Sequence, residues 1–240
     1  RVFPGFAGVP LVLGVLLEVM RQRRIVWNSP GIKFLQGGIL ALLVLVPLSL
    51  VSSGRWSAYQ EFSANSKKHL ATPLTNNMGL QTILGYSQDE RARVLKDPAA
   101  LEPFALWKES RLEHKSARFW LFVLIVGGYA AYITFLSRRL ELWETAILGV
   151  GLIPFAAELT CYYYSFLLVY GLLWKRAPAI GMLAVLLAWV TCETAASIEW
   201  TDESYTLMSA WVLVFVVLAA WLMSRISVQR DNQALPLSEA

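Results

Sequence analysis

The sequence predicts an all-α protein: a polytopic membrane helix bundle of about five full spans plus one short helical hairpin, with a helical extracytoplasmic loop. Three observations predict it. Apolar residues make up 56% of the 240 and charged residues 16%, against about 45–50% and about 25% in soluble domains, and mean hydropathy is +0.50. The apolar residues gather in windows of about 20, the length that crosses a hydrocarbon core. Lys and Arg stand at the ends of those windows, as membrane topology requires. The net charge of +4 therefore belongs to topology, and nucleic acid is excluded as a partner. An aromatic content of 12% with two cysteines excludes disordered and disulfide-stapled classes; Cys161 and Cys192 lie in apolar segments as small buried hydrophobes.

Taken in order, the first span runs from about Phe3 to Met20 and stops at Arg21, Arg23 and Arg24, and the second runs from about Phe34 to Ser53. The chain opens at Arg1 with no n-region or cleavage site, which excludes a signal peptide and reads as the C-terminal part of a longer product. A polar stretch, 54–118, follows. The third span is Phe119–Leu136, closed by Arg138 and Arg139; Leu142–Trp174 is apolar but too long for one ordinary helix. Spans from about Ala179 to Ala196 and from about Tyr205 to Ser224 complete the bundle. The organisation is thus 1–53, two spans; 54–118, outer loop; 119–224, bundle with the hairpin 142–174; and 225–240, a polar tail.

The connections at 21–24, 137–139 and 175–176 and the tail carry nearly all the short-loop positive charge, whereas Ser197–Ser204 carries Glu199, Asp202 and Glu203. The basic connections are expected in the cytoplasm and the acidic loop outside, with the 54–118 loop outside by alternation. Only two crossings of 142–174 keep this consistent, so the stretch reads as a hairpin, Leu142–Phe155 and Leu159–Trp174, breaking near Pro154 and Glu158. At 1.5 Å per residue each arm is about 21–24 Å long, short of a core of about 30 Å. An apex at depth must be lined by protein or water. The N-terminus is expected outside, the C-terminus in the cytoplasm, and the setting is a bacterial inner membrane.

Within the outer loop, Trp56–Ala71 reads as an amphipathic helix on the membrane face, and Lys67, Lys68 and His69 on it can hold an anionic group such as a lipid phosphate. Asn76 and Asn77, in a turn with Pro73 and Gly79, offer amides suited to sugar hydroxyls. Ser87 with Asp89 and Glu90 reads as a helix start, and Pro98–Arg118 as a helix running into the third span. Glu144 lies where it can reach an interface. Glu158, at the break of the hairpin beside Thr160 and Tyr162–Tyr164, is the intramembrane carboxylate to weigh as a base or as a ligand for a substrate hydroxyl. No P-loop, HExxH, GxSxG or CxxC occurs, and no metal site or resident cofactor is expected. No inverted repeat speaks for a transporter.

The Asn76-Asn-Met-Gly-Leu80 turn in a long outer loop, followed by a hairpin with Pro154 and Glu158-Leu-Thr-Cys-Tyr-Tyr-Tyr-Ser-Phe-Leu-Leu, resembles the C-terminal half of GT-C glycosyltransferases of the polyprenyl-phosphate-dependent, family 87-like group. The resemblance covers about residues 31–176, and Tyr163 and Tyr164 stand where the group carries an aromatic or imidazole pair. It implies transfer of a sugar from a lipid-phosphate donor on the outer side, with Lys67, Lys68, Asn76, Asn77, Glu158 and Tyr163 as donor and acceptor walls. The principal catalytic carboxylate of such enzymes belongs to an early outer loop with no counterpart here. The alternative is a non-catalytic integral-membrane subunit or scaffold of a larger complex; membrane lipids are partners in either case.

Overall fold

The structure, a computed structural model, describes residues 4–234, except for the side chains of residues 4, 53, 69–71 and 230–234. It is helical almost throughout, with five helices among the described residues long and apolar enough to cross a membrane. Helix α1 (Pro4–Gln22) ends at Arg23, whose left-handed φ of 51° turns the chain. Helix α2 (Pro30–Ser53) starts on Ser29, whose hydroxyl accepts the Ile32 N–H at 3.3 Å, with Pro30 at its first position. It stops at Gly54, left-handed at φ 69°, with its N–H on the Leu50 carbonyl. Gly31 of α2 rests against Val15 of α1; beyond that turn the helix leaves the body, and Ile39, Leu42, Leu43 and Leu45 are all exposed.

The outer polar stretch holds α3 (Ser57–Ala71), β1 (Asn77–Met78), α4 (Leu80–Leu84), α5 (Ala92–Leu95) and α6 (Ala105–Ala117). A helix is found where one is expected over Trp56–Ala71, but two expectations fail. Residues 87–91 form no helix: the Glu90 carboxylate instead accepts the Ser110 hydroxyl at 2.5 Å and faces the His114 ring at 2.9 Å, fixing the loop to α6. Those contacts, Ser110 foremost, hold its carboxyl below the ordinary 4.5. The second helix begins after Pro103, at Ala105, and a break at Arg118 separates α6 from α7 (Phe119–Leu136).

The hairpin turns back as expected. Its outgoing arm is α8 (Leu142–Val150) and α9 (Leu152–Ala156); an extended apex carrying β2 (Leu159–Thr160) leads into a 3₁₀ helix, Cys161–Lys175. Both arms close on one ion cluster. Arg176 Nη2 lies 2.5 Å from Glu141 Oε1, and its Nε lies 3.4 Å from Glu144 Oε1. Glu144, expected at an interface, is fully buried, because its carboxylate caps α8 by accepting the Glu141 N–H at 3.0 Å.

The two arms differ in reach. A 3₁₀ helix rises about 2.0 Å per residue, so its 15 residues span about 30 Å, a full hydrocarbon core. The 15 residues of Leu142–Ala156 reach about 22 Å at α-helical rise. At those rises the returning arm is the longer of the two, where the expectation was about 21–24 Å for each. The sequence obeys the three-residue period: Tyr164, Tyr170 and Leu173 are buried, with Cys161 and Leu167 packed beside them, while Tyr162, Ser165, Leu168, Gly171 and Trp174 are exposed.

Helix α10 (Pro178–Ser197) follows, then α11 (Thr201–Ala234), the central pillar. Met208, Val212, Phe215, Val216, Ala219, Ala220 and Met223 form one buried helical stripe along α11. The pillar continues ten residues past Ser224, where the last span was expected to end. At its other end the acidic corner meets the outer loop. Asp202 Oδ2 accepts the Ala92 N–H at 2.9 Å, and Glu203 lies 2.8 Å from Arg93 Nε. The 54–118 stretch and the 197–204 loop therefore share one end of the bundle, and residues 137–144 and 175–176 lie at the other.

Candidate site at the hairpin apex

Two segments far apart in the chain, Asn77–Met78 and Leu159–Thr160, build the apex. Asn77 pairs with Thr160 and Met78 with Leu159 in an antiparallel ladder, extended by the Cys161 N–H donating to the Asn76 carbonyl at 3.1 Å. The ladder satisfies backbone groups that an apex in a membrane would otherwise leave bare. Gly79 then turns at φ 126°, a conformation that only glycine adopts without strain. A Cβ there would lie 2.7 Å from the Ala157 carbonyl oxygen and 2.9 Å from that of Pro154. The Gly79 N–H donates to Ser209 Oγ of α11 at 3.0 Å. The asparagine turn is thus held between the apex and the pillar.

Glu158 sits beside this ladder with its side chain 4% exposed. Thr82 Oγ1 donates to its Oε1 at 3.2 Å, and Lys115 Nζ donates to its Oε2. A second buried cation, Arg111, donates from Nη1 to the Thr82 carbonyl at 2.5 Å and from Nη2 to Thr206 Oγ1 at 3.3 Å. Its guanidinium lies 5.1 Å from the centroid of the Trp107 ring. Burial pushes the Arg111 pKa down from its ordinary value, and the charges of Glu158 and Asp202 oppose that shift. Arg118 holds the end of α4 through the Leu84 and Tyr86 carbonyls at 2.8 and 3.0 Å. The hydroxyl of Tyr164 is buried with no hydrogen-bond partner among the described residues and lies against Gly79.

Of the residues singled out from the sequence, Glu158, Asn76 and Asn77 come together here. Tyr163 lies with its ring against Tyr162, centroids 4.4 Å apart, and it is the Tyr164 hydroxyl that lies against Gly79. Lys67 and Lys68 are exposed on α3; the cations beside Glu158 come from α6. The side chain of His69 lies outside the described residues. Sequence reasoning missed Arg111, Lys115, Thr82 and Ser209. A signal existed for two of them: Trp107, Arg111 and Lys115 recur every four residues, one stripe of α6.

Chemically, the cluster is a desolvated carboxylate neutralised by a lysine, with an arginine and an unsatisfied phenol close by. Among the described residues no group of His, Cys, Asp and Glu is arranged to hold a metal ion. The chain matches no protein-family model, no curated protein and no solved structure.

Proposed function

We propose that the chain is the C-terminal membrane portion of a GT-C-like glycosyltransferase that uses a lipid-phosphate-linked sugar on the outer face of a bacterial inner membrane. In this reading the N-terminus is outside and the C-terminus cytoplasmic. One observation supports it above the others: the two stretches that carry the resemblance, Asn76–Leu80 and Glu158–Tyr164, meet in one hydrogen-bonded ladder. Lys115 and Arg111 then serve as counter-charges for the donor phosphate, in place of Lys67 and Lys68, which lie on a helix suited to lipid headgroups. A phosphate that takes over Lys115 frees the Glu158 carboxylate to hold an acceptor hydroxyl and receive its proton. The bond from the sugar to phosphate breaks, the lipid phosphate departs, and the acceptor oxygen takes its place. The test is binding. Purified chain should retain a polyprenyl phosphate in native mass spectrometry, and Lys115→Met should weaken retention by at least about tenfold, the loss of a charge-assisted contact. Absence of retention in the folded protein sinks the reading.

A non-catalytic membrane subunit is the second reading. It is favoured by the complete pairing of Glu158 and by α2, whose residues 36–49 are left exposed among the described residues. Stable co-purification with other membrane subunits, without lipid-linked sugar, supports it.

A further inference from the structure

A cavity of about 510 Å³ lies at the end of the bundle away from Glu158, where α1 ends, α2 begins and α7 ends. Helix α7, with 18 residues, separates the two sites by about 27 Å. Three arginines from three different segments line this cavity: Arg21 from the last turn of α1, Arg24 from the turn that follows, and Arg138 after α7. Glu18 also lines it, but its carboxylate takes the Gln22 amide. Among the described residues no carboxylate pairs with Arg21, Arg24 or Arg138. The remaining wall is apolar, Leu11 and Ile32 being buried there.

Basic residues at the end of a span satisfy topology wherever they point. Topology does not require three of them to surround one hollow that holds a single carboxylate, Glu18. A hollow with a net positive rim and an apolar floor fits an anion carried on a hydrocarbon tail. Leu16 and Leu17 of α1 and Ile39 and Leu43 of α2, the two helices that line the cavity, are exposed and offer acyl chains an apolar surface. Basic pockets between transmembrane helices hold anionic headgroups in this way.

We infer that this cavity binds the phosphate headgroup of an anionic membrane lipid, clamping α1, α2 and α7 together at the end opposite the apex site. Thermal unfolding of the purified full chain in detergent tests it, with added phosphatidylglycerol, phosphatidylcholine or inorganic phosphate. Phosphatidylglycerol should raise the transition temperature and phosphatidylcholine should not. In Arg21→Gln/Arg138→Gln the apparent affinity for phosphatidylglycerol should fall roughly tenfold or more, the worth of two arginines near an anionic headgroup. Arg138→Lys, which keeps the charge, should retain most of it. Lys175→Gln/Arg225→Gln, an equal loss of charge outside the cavity, should bind as the parent does. Equal shifts with the two lipids overturn the inference, as does equal weakening in both double variants. A full shift with inorganic phosphate alone assigns the cavity to a soluble anion and overturns the lipid.

Discussion

Removing Lys115 leaves the Glu158 carboxylate buried with its counter-charge gone. Truncating one partner of a buried pair costs about 3–5 kcal/mol, whereas replacing both with apolar groups is often neutral. With side chains 13% and 4% exposed, this pair belongs to that class. Lys115→Met is therefore expected to destabilise the protein by about 3–5 kcal/mol, and Lys115→Met/Glu158→Leu to recover most of that loss, as read from denaturant unfolding in detergent. Equal losses in the single and double variants would show that the pair is not coupled. At this scale Glu158 was legible in the sequence, since a carboxylate in a long apolar run stands out. Lys115 and Arg111 were not, because charged residues on a polar helix look solvated until a partner from elsewhere covers them. Tyr163 and Tyr164 enter together through the resemblance, and only the pitch of the helix decides which of two adjacent tyrosines turns inward.

The 3₁₀ arm shows how much pitch matters for an element. The hairpin itself followed from counting charges at Lys175 and Arg176 against the acidic 197–204 loop. The arm's length did not, because 1.5 Å per residue was assumed for a segment that advances about 2.0 Å. The sequence holds the cue in the buried residues Tyr164, Tyr170 and Leu173, all multiples of three apart. The period makes a prediction that an α-helical arm would not: Tyr164 and Leu173 share one row at three residues per turn and would lie on opposite faces at 3.6. Tyr164→Ala and Leu173→Ala should each cost about 2–5 kcal/mol, the range for large buried side chains, while Leu168→Ala, on the exposed row, should change stability by less than about 0.5 kcal/mol. A small loss at either buried position would deny the three-residue repeat. The outer-loop helices were less legible. Ser87–Glu90 carried the signals of a helix start, but Glu90 was instead drawn to Ser110 and His114 on α6, a tertiary bond that local propensity does not foresee.

For the whole molecule, the same-side meeting of Asp202 with Ala92 and of Glu203 with Arg93 sets a topology that can be read in intact membranes. In a Cys161→Ala/Cys192→Ala background, single cysteines at Ser87 and Glu199 should react with an impermeant maleimide from one side of the membrane, and cysteines at Arg139 and Lys175 from the other. Any other partition breaks the proposed arrangement of spans. The count of spans and the shared end of the two polar loops were legible, because span length and charge placement answer to the bilayer directly. The ladder between Asn77 and Thr160 was beyond reach, since nothing local to either segment names its partner.

That ladder constrains how the protein is made. In the proposed orientation, residues 77–78 are exported before the hairpin leaves the translocon and can close on Leu159 and Thr160 at once. Ser209, which receives the Gly79 N–H, is synthesised only later. The apex is therefore assembled in two stages, and nascent chains released before the last helix should carry a roof that is docked but not latched, open to proteases on the far side of the membrane until the pillar arrives.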